Sequence, residues 1–144
     1  MTNTVAPNDG TTQGPRLYPI LSDNDVVQFR HEVRAAAVAA GLRLIDQTKL
    51  VTAASELARN ALEHGGGGLG EIGPPEAVGR RGVRVIVEDD GPGIADLDLA
   101  LTDGFSRDNG MGMGLPGSRR LVDSFDLWSE QGVGTCVIVE KWAL

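Results

Sequence analysis

Ser55-Glu56-Leu57-Ala58-Arg59-Asn60-Ala61-Leu62-Glu63-His64, running into Gly65-Gly66-Gly67-Gly68, holds two opposed patterns in one stretch. At about 100° per residue, Leu50, Ala54, Leu57, Ala58, Ala61 and Leu62 fall on one broad apolar face. Glu56, Asn60 and His64 lie four apart and stack on the opposite side as a polar stripe. The glycine run ends the helix, since each Gly costs roughly 1 kcal/mol against Ala in a helix interior. A carboxylate and a carboxamide on successive turns can serve one metal-bound ligand. The same stripe also suits a plain solvated helix face, so its meaning depends on the residues around it.

Outward from that helix, the totals set limits. The chain has 144 residues, 41% of them hydrophobic, enough for one domain with a real core. Aromatic residues make up only 4%, so Val, Leu, Ile and Ala must build that core. A formal net charge of −7 repels a phosphate backbone and argues against nucleic acid as a partner. The single cysteine, Cys136, excludes an internal disulfide and reads as a small buried strand residue within the apolar run 133–139. No apolar run approaches the roughly 20 residues of a membrane span, and the N-terminus lacks a basic-then-apolar leader, so no membrane association and a cytoplasmic location are expected.

Upstream, Met1 to Pro15 has almost nothing to bury and reads as a disordered tail. Leu17 to Leu21 suits an edge strand. Ser22 or Asp23 caps a helix from about Asn24 to Ala40, whose apolar positions include Val26, Phe29, Val33, Ala37 and Ala40, and Gly41 ends it. His31 in this helix reads as a surface or half-buried residue rather than a phosphoacceptor. The long helix follows from about Arg43 to His64.

Downstream, strand signals are weak at Leu69 to Ile72 and around Ala77, then strong at Val83-Arg84-Val85-Ile86-Val87. Asp90-Gly91-Pro92-Gly93-Ile94 follows. A carboxylate at a strand end can accept from an exocyclic amine, and glycines let a flat ring approach the backbone; alone, the run is also an ordinary turn. Asp96 to Leu101 suits a short helix and Thr102 to Gly114 a mobile loop. Gly110-Met111-Gly112-Met113-Gly114-Leu115 places three glycines before a helix from Leu115 to Asp123, with Pro116 at its first turn, where free N–H groups attract phosphate. The spacing of Gly112, Gly114 and Gly117 imitates a dinucleotide fingerprint, but no strand precedes it. Phe125 to Ser129 and Thr135 to Trp142 close the chain as a hairpin. The order predicts an α+β fold with helices on one face of a mixed, mostly antiparallel sheet.

Together these pieces resemble the nucleotide-binding boxes of the GHKL superfamily, which includes gyrase, Hsp90-type chaperones, histidine kinases and MutL. Glu56-x-x-x-Asn60-x-x-x-His64 is similar to the N box, and Asp90-Gly91-Pro92-Gly93-Ile94 to the first glycine box. Gly110-x-Gly112-x-Gly114-Leu115 is similar to the second, and Gly132-Val133-Gly134-Thr135 to the closing one. Within the superfamily, Ser55 to Asn60, Asp103-Gly104-Phe105-Ser106 and Gly114-Leu115-Pro116-Gly117 resemble the RsbT-type switch kinases of bacterial stress-response partner switching. The resemblance implies a Bergerat-type sandwich over residues 16–144 that binds Mg·ATP and phosphorylates a serine or threonine on a STAS-domain antagonist. It further implies activation of a metal-dependent phosphatase after release. Asn60 would hold Mg²⁺, and Asp90 would take the adenine amine, with Gly93 giving room and Thr135 supporting a water. Gly110, Gly112, Gly114 and Leu115 would form the phosphate lid, and Glu56 would act as the base. An anti-sigma factor of the same superfamily, which sequesters a sigma factor, carries the same boxes and is the alternative.

Overall fold

In a computed structural model, residues 14–96, 100, 101 and 114–144 are described. Strand β1 (Arg16–Ile20) leads to helices α1 (Asp23–Ala39) and α2 (Leu44–Gly65), then strands β2 (Gly68–Gly73) and β3 (Gly82–Asp89). Helix α3 (Gly114–Arg120) and strands β4 (Ser124–Glu130) and β5 (Gly134–Trp142) complete the described elements. The five strands form one sheet in the order β1-β2-β3-β5-β4. Every pairing is antiparallel, so the expected parallel component of the sheet is not found among the described residues.

Each helix starts and stops for a local reason. The Ser22 hydroxyl accepts from the Asp25 N–H at 3.1 Å, and the Asp25 carboxylate accepts from the Leu21 N–H at 2.9 Å, a reciprocal cap that opens α1. Val26, Phe29, Val33 and Ala37 are the buried residues of α1. Helix α2 ends at Gly66, whose φ of 76° is a left-handed cap that a side chain would resist. Its buried face holds Leu50, Ala54, Leu57, Ala58 and Ala61, as the periodicity predicts, together with Asp46, Val51 and Ala53.

Strand alternation fixes the other layer. On β3, Val83, Val85 and Val87 are buried, and they pair with Lys141, Val139 and Val137 of β5. That row faces the helices, where Phe29, Leu50 and Leu57 fill the core with Ile20 and Val139. Gly70 lies under the Phe29 ring, where a Cβ would overlap the ring carbons. Tyr18 packs on the same ring at 5.8 Å between centroids.

Several boundaries differ from the sequence reading. No strand forms around Ala77; the Ala77 carbonyl accepts from the Arg80 N–H in a turn that brings Arg80 over the Trp142 ring at 4.0 Å. Helix α3 stops at Arg120 rather than Asp123, because Asp123 is used to dock β5: its carboxylate accepts from the Trp142 N–H at 2.7 Å. Cys136 is half-buried rather than core, on the sheet face turned away from the helices. Of the expected helix at 96–101, the Ala100 N–H does bond to the Asp96 carbonyl at 3.0 Å. The expected tail at 1–15, apart from residues 14 and 15, and the expected loop at 102–114, apart from Gly114, lie outside the described residues.

Candidate functional site

The end of β3 carries the chemistry. Asp89 continues the helix-facing parity of Val83, Val85 and Val87, and it pairs across the sheet with Thr135, which in turn pairs with Ser129. Asp89, Thr135 and Ser129 therefore form one polar row at the end of the sheet, facing the last turns of α2. Asp90, the carboxylate selected by the motif, is exposed and has the opposite parity. The pleat thus turns Asp89, not Asp90, toward the helix layer.

The approach of α2 to this row depends on Gly65. A Cβ there would overlap the Asp89 carboxyl carbon, and a Cβ at Gly91 would overlap the Gly65 backbone. The Asp89 carboxylate accepts from the Gly91 N–H at 2.8 Å. Burial raises the Asp89 carboxyl above its ordinary pKa; the Gly91 hydrogen bond lowers it, the Asp90 charge raises it and His64 lowers it. His64 stands in the last turn of α2. One turn and two turns before it stand Asn60 and Glu56, both half-buried rather than solvated.

The first glycine box is pinned to the β4–β5 hairpin. The Ile94 N–H donates to the Ser129 hydroxyl at 2.8 Å, and the Gly132 N–H donates to the Pro92 carbonyl at 2.8 Å. Gly93, with φ 76°, packs so closely that a Cβ would overlap the Glu130 carbonyl oxygen. Ser129 also donates to the Gly134 carbonyl at 2.9 Å and lies 2.9 Å from the Thr135 hydroxyl. Ser129 and Gly65 were not singled out as site residues. Strand parity from Val137 through Leu127 points to the first, and nothing in the glycine run marks the second.

At the other edge of the site, the Glu56 carboxylate accepts from the Gly114 N–H at 3.3 Å. Gly114 opens α3, where Ser118 is fully buried and donates to the Gly114 carbonyl at 3.2 Å. Leu115 packs against the hydrophobic core. Gly110 and Gly112 lie outside the described residues. The structure therefore gathers Glu56, Asn60, Gly93, Gly114, Leu115 and Thr135 around one end of α2, leaves Asp90 turned outward, and adds Asp89, Ser129 and Gly65.

Comparison with known proteins gives this arrangement a family. Residues 45–143 match the family described as Histidine kinase-, DNA gyrase B-, and HSP90-like ATPase. Serine/threonine-protein kinase RsbT of Bacillus subtilis (strain 168) is 42% identical over 125 residues, which span 85% of this chain and 92% of that protein. The crystal structure of the RsbU and RsbW domains of Rv1364c from Mycobacterium tuberculosis superposes with a TM-score of 0.62 at 20% identity. That superposition covers 90% of this chain and 32% of the other, and it bears on the fold alone.

Proposed function

Since this chain belongs to the histidine kinase-, DNA gyrase B- and HSP90-like ATPases and has a serine/threonine kinase as a relative over most of its length, we propose that it is a serine/threonine kinase using Mg·ATP. Its substrate is a STAS-domain antagonist protein, and on release it activates a metal-dependent phosphatase in a bacterial partner-switching pathway. The observation that carries the nucleotide part is the Asp89–Thr135–Ser129 row facing the turns of α2 that hold Asn60 and His64.

The residues present fit the group. Gly65 and Gly91 close on the Asp89 carboxylate without side chains of their own, so only backbone stands against it on that side. Asp89, rather than Asp90, is assigned to accept from the adenine amine, with Gly93 giving room and Thr135 supporting a bridging water. Asn60 offers one neutral oxygen, enough for a Mg²⁺ ion otherwise held by water and phosphate oxygens. Gly110, Gly112 and Gly114 offer backbone N–H groups to the phosphates, next to Leu115. The bound nucleotide supplies the transferable phosphoryl group and its metal the charge neutralisation. The chain contributes position and one base. Glu56 is the carboxylate that takes the proton of the incoming hydroxyl, once it gives up the Gly114 N–H.

The test is transfer from labelled ATP to a purified STAS protein, followed by the acid stability of the product. Acid-stable phosphoserine or phosphothreonine is expected, with Asn60→Ala and Asp89→Asn each reducing transfer by about 100-fold or more. Undiminished transfer by both variants would overturn the site, and acid-labile phosphohistidine would overturn the class. Recovery of a sigma factor as the bound partner, with no phosphatase, would favour the anti-sigma reading.

A further inference from the structure

The far end of α2 carries a second surface. Val38 in α1 is 58% exposed, and Leu44 and Ile45, the first two residues of α2, are 71% and 58% exposed. A tight connection joins the two helices, with the Gly41 N–H on the Val38 carbonyl and the Leu42 N–H on the Ala37 carbonyl, each at 3.0 Å. Val38 stands one turn after Arg34 and Leu44 one turn before Gln47, and Arg34 bonds to Gln47 across the helices, which places Val38 and Leu44 on one side of the pair. Single exposed aliphatics are ordinary, but an adjacent Leu-Ile pair in the first turn of a helix breaks the pattern that α2 keeps elsewhere.

The rim of this patch is basic. Arg34 reaches across from α1 to the Gln47 side-chain oxygen at 3.4 Å. Arg43 is 60% exposed even while it pairs with Asp46. The Arg81 guanidinium lies over Gly41, 3.6 Å from where a Cβ would stand. The acid of the first turn, Asp46, is 6% exposed and held by Arg43 and Lys141, so it contributes little negative field outward. An aliphatic patch rimmed by guanidinium groups thus sits on a chain whose net charge is −7.

We propose that the Val38–Leu44–Ile45 corner docks an acidic amphipathic segment of a protein partner, with its aliphatic side chains on the patch and its carboxylates on Arg34, Arg43 and Arg81. Charge complementarity selects this occupant. A second copy docked through the same face would bring guanidinium groups against one another. An anionic bilayer would repel the chain's net charge, and three aliphatic side chains are a small anchor. The corner is separated from Asn60 by roughly 24 Å along the helix, at 1.5 Å per residue, so a docked segment leaves the candidate site uncovered. The assignment rests on exposure and charge, and it stands whether or not that site binds ATP.

The experiment places p-benzoylphenylalanine at position 45 of the full chain, irradiates it in cells of the source organism, and identifies the cross-linked peptide by mass spectrometry. A net-negative segment with aliphatic residues at helical spacing is expected. That peptide, synthesised and labelled, should bind the full chain and lose about tenfold or more in affinity to the Leu44→Glu/Arg81→Glu variant. Leu44→Glu places an acid in the first turn of a helix, which favours the fold, and a thermal melt matching the parent's shows that Arg81→Glu has not unfolded the chain. ATP binding by the variant should be unchanged. Cross-links confined to lipid, to a second copy or to a segment without acidic character would overturn the proposal, as would no cross-link or unchanged peptide affinity.

Discussion

Asp89 is half-buried at the cost of raising its own pKa, and that has a sign that can be checked. A carboxyl whose folded pKa is raised supports the fold while protonated, below its unfolded pKa. That support is lost as pH rises through the folded value. Asp89→Asn removes a carboxylate that is disfavoured in the fold at neutral pH. The nucleotide-free variant should therefore melt above the parent near neutrality, with the difference vanishing as pH falls below the ordinary carboxyl value of 3.8. Thermal unfolding across that range checks it; a variant that melts lower at neutral pH would contradict the burial argument. Ser129 allows a second prediction by counting hydrogens. Its hydroxyl gives its one hydrogen to Gly134 and accepts from Ile94, so the hydrogen shared with Thr135 belongs to Thr135. Thr135 then shows the site only acceptor lone pairs, as does the Asp89 carboxylate when ionised, which suits an amine edge and opposes a carbonyl edge. Ser129→Ala frees the Thr135 hydrogen and should narrow a preference for ATP over GTP by about tenfold, the scale of one reassigned hydrogen bond, as read by competitive nucleotide binding. Asp89 was legible in the sequence through parity, since it shares the alternation of Val83, Val85 and Val87. The motif spacing drew attention instead to its neighbour, whose identical chemistry differs only by which side of the pleat it takes.

At the level of elements, α3 is tied to α2 at one end and to α2 and β5 through the turn at the other. Gly114 reaches Glu56 at its start. After its end, Asp123 meets Lys141 at 3.7 Å, and Lys141 meets Asp46 in the first turn of α2 at 3.7 Å. Lys141 is 8% exposed, so its charge has left water for these two partners. Lys141→Met should cost about 2 kcal/mol, because the buried Asp46 carboxylate is then left with Arg43 alone. Adding Asp46→Asn should recover part of that cost, a non-additivity that urea unfolding of the two single variants and the double can measure. Simple additivity would show that the groups do not act as a unit. The helices α1 and α2 and the strands β1, β3, β4 and β5 were legible from periodicity and β-branched content. The early end of α3 was not, since it depends on Asp123 being recruited by a backbone N–H nineteen residues later in the chain. Nor was Lys141 legible as an inward residue, because a charged residue in an alternating strand reads as solvent-facing until its partners are in view.

For the whole molecule, charge was the most readable property and the least local. The net charge argued against nucleic acid, but it hid the basic corner formed where α1, α2 and the segment before β3 meet, which only the folded chain brings together. The family was legible because four short motifs occur in one order, although each is weak alone. The sheet order explains how the first and the closing glycine motifs come to lie side by side. β3 and β5 are hydrogen-bonded neighbours, yet the chain leaves β3 at Asp89 and enters β5 at Gly134, so the intervening stretch departs from and returns to one end of one strand pair.

That adjacency has an entropic consequence. The chain between Ile94 and Gly114 is moored at both ends, by the Ile94 N–H on the Ser129 hydroxyl and by the Gly114 N–H on the Glu56 carboxylate. Closing such an excursion costs free energy that grows only with the logarithm of its length, about 0.6 kcal/mol for each doubling. The fold is therefore nearly indifferent to how many residues lie between its moorings.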